Sequence, residues 1–226
     1  MLKAKDFRAQ ARAALKGKWM QAVIAGLIAG VLGGTILYKG YTGSSASSNA
    51  SSAADTSVLA GITWEVILLM LAIFVIVGVI TFLIGSIVGL GYAKFNLELY
   101  KSETADFKMV FSEKSRYKDC FKLFFMQFLY VTIGSILFVI PGIIAFYGNI
   151  MGAFIMVENP EMSAKEALAA SRAMMKGNKW RLFCLSWSFI GWDILAALSM
   201  GVGHLFLCPY VEAAAAAFYN EIKAGK

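Results

Sequence analysis

One histidine, three cysteines and three prolines are all that the 226 residues contain of these types, and only 15% of the side chains are charged. A lone His204 has no companions for a histidine-based metal site or catalytic triad, and a short Gly-flanked turn around it reads as external and solvated. Cys120, Cys184 and Cys208 show neither CxxC nor metal-ligand spacing and read as small apolar core residues. No GxSxG elbow, Walker phosphate loop or HExxH helix occurs in the chain. These absences argue against an enzyme, and no cofactor is expected. Charge is also too scarce to clothe a water-soluble globule. With 59% hydrophobic residues and a mean hydropathy of +0.67, most of the chain has lipid as its solvent.

What the chain does have is a series of long apolar runs. Six are read as transmembrane helices, at 19–37, 66–90, 121–140, 143–157, 182–200 and 204–222, each long enough or nearly so for a hydrocarbon core of about 30 Å. The first could be mistaken for a signal peptide, but its apolar stretch exceeds the usual signal length and reads as a retained anchor. Residues 38–61 are rich in Ser, Ala and Gly, cannot bury a core, and read as an external loop. The second helix continues without a proline and is expected to project into the cytoplasm as far as Tyr100. Pro141-Gly142 stops the third run, where a tight external hairpin is expected.

Of the 21 lysines and arginines, all but Lys39 fall before the first run, between the second and third with Lys122 at the threshold of the third, between the fourth and fifth, or after the sixth. Positive charge is held on the cytoplasmic side during insertion, so both termini are expected inside. The net charge of +7 sits in short blocks beside apolar runs, which favours anionic lipid headgroups over nucleic acid as the partner.

Three basic segments, 1–18, 101–120 and 163–177, read as amphipathic helices lying on the inner leaflet. In the first, Phe7, Ala11 and Leu15 share one stripe while Arg8, Arg12 and Lys16 share another. In the third, Ser163 and Glu166 form a capping box, and Ala164, Leu168, Ser171 and Met175 line one face. Leu15-Lys16-Gly17-Lys18-Trp19 and Met175-Lys176-Gly177-Asn178-Lys179-Trp180 place basic residues, a glycine and an interfacial tryptophan at the threshold of a span. A threefold parallel repeat of surface helix plus two-span hairpin is therefore the expected plan. Arg8, Arg12, Lys16, Lys18, Trp19, Lys176, Lys179, Trp180 and Arg181 are the headgroup-contact candidates.

Leu15 to Trp19, Ile140-Pro141-Gly142-Ile143-Ile144, Glu158-Asn159-Pro160, Met175 to Phe183, Ser188-Phe189-Ile190-Gly191-Trp192, Pro209-Tyr210 and Ala217-Phe218-Tyr219 occur in order along nearly the whole chain. In these words it resembles a bacterial integral membrane family catalogued as domain of unknown function 975. The resemblance implies a small polytopic protein of a bacterial plasma membrane and supplies no catalytic residues.

Polar groups inside spans are costly and mark candidate sites. Asp193 and Glu212, with Tyr210 and Asn149, are the intramembrane candidates. Counted inward from the external turn, the two carboxylates could share a depth and hold a proton or cation between them. Alternatively, each faces a watery recess or makes a structural hydrogen bond. Tyr130, Thr132, Gln127 and Asn149 are expected to bond helix to helix, and the Gly-x3-Gly pairs to let backbones approach. The leading expectation is a non-enzymatic multi-pass membrane protein that binds anionic lipid, a membrane partner or both, a second copy of itself being one such partner. A small proton- or cation-coupled transporter is the alternative, and immunity to a membrane-active toxin a third.

Overall fold

A computed structural model describes residues 3–32, 64–101, 105–137, 139–199 and 202–225. Every regular element among them is helical: α1 Ala4–Leu15, α2 Trp19–Val31, α3 Trp64–Lys101, a 3-10 helix Phe107–Arg116, α4 Tyr117–Leu137, α5 Val139–Asn149, α6 Gly152–Glu158, α7 Ala164–Met174, α8 Lys179–Trp187, α9 Ile190–Leu198 and α10 Val202–Ala224. Five stretches are long and apolar enough to cross a membrane, namely Trp64–Lys101, Tyr117–Ile136, Ile140–Glu158, Lys179–Leu198 and Val202–Ala224. The protein is thus all-α and polytopic. The sixth expected crossing, at 19–37, is described only to Leu32, and the 13 residues of α2 extend about 20 Å. The expected Ser-rich loop at 38–61 and Lys39 lie outside the described residues.

Local chemistry sets the helix ends. At α1 the Asp6 carboxylate accepts the Lys3 N–H at 2.8 Å, and at α7 the Glu166 carboxylate accepts the Ser163 N–H at 2.8 Å while Ser163 Oγ accepts the Glu166 N–H. Those bonds from the Ser163 backbone and hydroxyl hold the Glu166 carboxyl below its ordinary range. Gly17 and Gly177 follow α1 and α7 with φ of 81° and 85°, a conformation that side chains with a Cβ resist. The two segments bury matching positions ahead of these glycines: Phe7, Ala11 and Leu15 in one, Ala167, Ser171 and Met175 in the other.

The described helices fall into three units, each opened by a short helix: α1 with α2 and α3, the 3-10 helix with α4 to α6, and α7 with α8 to α10. Each opening helix packs on the last helix of the preceding unit. The 3-10 helix lies on α3, α7 lies on α6, and α1 closes the ring on α10. The last helices meet at the centre, where α3 touches both α6 and α10, and Phe154 stacks on Tyr219 at 5.4 Å. The order of helices is alike in the three units, although α2 as described is shorter than a span. The second unit departs in detail, because its opening helix runs into α4 with no intervening glycine turn.

The destination of the amphipathic stripes differs from expectation. Phe7, Ala11, Leu15, Ala164, Leu168 and Met175 are buried by protein rather than laid against lipid. Phe7 packs on Phe218 at 5.2 Å, and Tyr210 Oη donates to the Arg8 carbonyl at 3.3 Å, so α1 runs antiparallel to α10. Likewise Leu168 covers Gly152 and Ser171 Oγ donates to the Gly148 carbonyl at 2.8 Å, which sets α7 antiparallel to α6 and the end of α5. Both helices keep a basic edge exposed, with Arg12, Lys16, Arg172 and Lys176 uncovered. An apolar stripe leaves water equally well into protein or lipid, and here the preceding unit supplies the nearer apolar surface.

Two spans are built otherwise than their sequences suggest. Pro141-Gly142 does not form the turn between the third and fourth runs; it lies in the first turn of α5, where a missing N–H costs nothing. Gly142 instead lets α5 close on α4, since a Cβ there would press on Ser135. The fifth span is broken at Ser188 and Phe189 between α8 and α9, and Arg8 Nη1 donates to the freed Ser188 carbonyl at 3.3 Å. A guanidinium at a helix C-terminus is favourably placed against the helix dipole. The helix of the second span runs on without a break to Lys101: α3 is 38 residues, about 57 Å, with 64–84 exposed and 85–99 almost wholly buried in the ring.

Candidate functional site

The two intramembrane carboxylates do not form a pair. Asp193 Oδ1 lies 3.1 Å from His204 Nε2, each side chain being 29% exposed, so the histidine is a hairpin partner rather than a solvated turn residue. Glu212 is 1% exposed and acts electrostatically on Tyr92 and Cys208. The reason is helical register. His204 and Glu212 are eight residues apart on α10, about 12 Å, and the antiparallel α9 brings Asp193 to the level of the first. Tyr210 is also structural, its hydroxyl spent on the Arg8 carbonyl and its ring set edge-on to Phe189 at 5.2 Å.

Several headgroup candidates are likewise taken by the fold. Arg181 Nη2 donates to Glu221 at 2.7 Å, and its guanidinium lies over Phe218 and Phe7 at 5.5 and 6.0 Å. Arg8 caps α8. Lys18 and Trp19 are half-buried, while Trp180 is 71% exposed and stacks on Phe183 at 5.2 Å. Lys16 and Lys176 stand exposed beside the turn glycines.

Arg172 and Lys179 are different, because the ring brings them together over one cleft. A Cβ at Gly148 would sit 3.6 Å from both side chains, which locates the two cations on the same face of α5. The Arg172 guanidinium covers the Tyr130 ring at 4.7 Å, a cation–π contact that orients it toward the cleft. Neither cation has a carboxylate partner among the described residues. The cleft, about 330 Å³, continues along Ile140, Pro141 and Ile144 as an apolar wall. Asn149 lines it too, and this 1%-exposed side chain has an Oδ1 with no hydrogen-bond partner. The expectation that Asn149 and Gln127 tie helix to helix fails for both side-chain oxygens, which are buried and unpaired.

A second cleft of about 380 Å³ opens one unit further round. Arg12 and Trp19 from the first unit face Trp192 of α9 and Phe206 and Tyr210 of α10, and Trp19 meets Phe206 at 6.5 Å. A larger groove, about 560 Å³, runs between α4–α5 and α8–α9 past Phe146, Tyr147, Phe183, Trp187 and Asp193. Among the described residues no three His, Cys, Asp or Glu side chains are grouped to hold a metal ion, and all three cysteines are free, Cys184 being exposed.

The sequence reading passed over one polar centre. Glu158 Oε2 accepts from Tyr219 Oη at 2.7 Å and Lys223 Nζ at 2.6 Å, while Oε1 accepts from Lys101 Nζ at 3.1 Å. One carboxylate thereby joins the last helices of all three units. Its only signal in the sequence was its place in Glu158-Asn159-Pro160, at the end of a span.

No curated protein and no solved structure matches the chain. The profile of a family described as "Protein of unknown function (DUF975)" matches residues 66–226, which takes in all the quoted words except the one at 15–19 and the whole of both later units. On that match over most of its length, the chain belongs to the DUF975 family.

Proposed function

We propose that this is a non-enzymatic multi-pass membrane protein that binds anionic phospholipid, with its basic side and both termini at the cytoplasmic face of a bacterial plasma membrane. The observation that carries the reading is the Arg172–Lys179 cleft. Two cations with no counter-charge among the described residues, one of them held over a tyrosine ring, stand at the head of an apolar wall. Basic pockets between membrane helices bind phosphate headgroups by this chemistry, and the wall suits an acyl chain.

Each cation near an anionic surface contributes about 1 kcal/mol, so losing both corresponds to roughly a 30-fold weaker affinity. Titration of phosphatidylglycerol into detergent-purified protein should show that loss in the Arg172→Ala, Lys179→Ala double variant, with phosphatidylcholine binding weakly to both proteins. Equal phosphatidylglycerol affinity in variant and parent would defeat the reading.

Transport is the second reading, and one observation favours it: Asp193, tied to His204, faces the 560 Å³ groove. Reconstituted in liposomes, such a protein should carry a proton or cation current that Asp193→Asn abolishes. A current unchanged by that substitution, or none above empty liposomes, ends it.

A further inference from the structure

The likeness of the opening segments of the first and third units extends to the clefts beside them. Arg12 and Arg172 each follow the buried residue of their helix stripe, Ala11 and Ser171, by one position. Each helix then leaves through a left-handed glycine, Gly17 or Gly177, into the next span. Because each opening helix packs on the preceding unit, the ring gives both arginines the same neighbourhood: the two spans of that unit. Arg172 looks into α4 and α5, and Arg12 into α9 and α10. Like Arg172, Arg12 has no carboxylate partner among the described residues.

We propose that the Arg12 cleft is a second phospholipid site, related to the first by the internal repeat and built for a headgroup with one negative charge. It rests on the reading of the Arg172 cleft for the kind of ligand, but its residues are its own. The difference between the sites lies in the register position that holds Lys179 in one and Trp19 in the other. One cation and an indole replace two cations. Arg12 contacts the phosphodiester, Trp19 and Trp192 sit at the level of the glycerol ester region as interfacial tryptophans do, and Phe206 and Leu195 face the acyl chain. With one charge in place of two, binding there is less sensitive to salt than binding at the Arg172 cleft.

Native mass spectrometry of the detergent-solubilised protein with phosphatidylglycerol reads the number of lipids held. The parent protein should retain two per chain, Arg12→Ala one, the Arg172→Ala, Lys179→Ala variant one, and the triple variant none. Arg12 is exposed, so its loss leaves the core intact, and Arg12→Lys should restore the second lipid. Two lipids retained by Arg12→Ala, or a single lipid on the parent, overturns the second site. If the double variant keeps both lipids while Arg12→Ala loses one, the first-cleft reading fails and the second site stands. Displacement of either lipid by excess inorganic phosphate would assign the clefts to a free anion and defeat the proposal.

Discussion

Gly91→Ala should cost stability on the order of 4 kcal/mol or more, a large effect for one methyl group. Gly91 lies in the buried half of α3, and a Cβ built there runs into the backbone carbonyl of Val110 in the 3-10 helix. A flexible side chain could swing aside, but here the obstacle is main chain. Val110 is itself fully buried, so the opening helix of the second unit would have to lift off α3 as a whole. At roughly 2–4 °C per kcal/mol for a chain of this size, the thermal transition in detergent should fall by about 10 °C. Gly78→Ala is the control, because it lies on the same helix with nothing within 4 Å of an added Cβ. That change should be neutral or stabilise by up to about 1 kcal/mol. Equal melting of the two variants would mean that the second unit does not dock on α3 as described.

Removing the Glu158 carboxylate should have the next largest effect. Glu158→Ala strips the acceptor from Tyr219, whose side chain is 1% exposed, and leaves a buried hydroxyl unpaired at a cost of about 1–3 kcal/mol. Lys101 and Lys223 are half-exposed, so each ion pair adds no more than about 1 kcal/mol. The total is about 1–5 kcal/mol. Glu158→Gln keeps an oxygen for Tyr219 and should lose only the ion-pair share. In a Tyr219→Phe background Glu158→Ala should cost distinctly less, because no hydroxyl is then abandoned. If Glu158→Gln proves as damaging as Glu158→Ala, charge and not the tyrosine bond holds the three units together at this point.

Both effects come from contacts between units, and these were the features least legible in the sequence. The ring explains why Arg181 turned from lipid to Glu221, and why Arg8 turned to the broken span at Ser188. It also explains why Asp193 met His204 instead of Glu212. A count of residues inward from the turn gave both carboxylates one depth, but the packing of α9 on α10 sets Asp193 level with His204, about 12 Å along the helix from Glu212. Register between helices decides the pairing.

From the amino-acid order alone came everything governed by a window of a few residues: the apolar runs, the capping box at Ser163, the glycine turns at 17 and 177, and the likeness between the first and last basic segments. Those features depend on helix periodicity, on backbone φ and on the transfer of side chains out of water, all of which act locally. Tertiary structure decided where the apolar stripes went, which carboxylate met which cation, and which cations stayed unneutralised. Sequence cannot separate these outcomes, because lipid tails and a neighbouring helix are equally apolar to a leucine, and only the closed ring determines which of the two it meets.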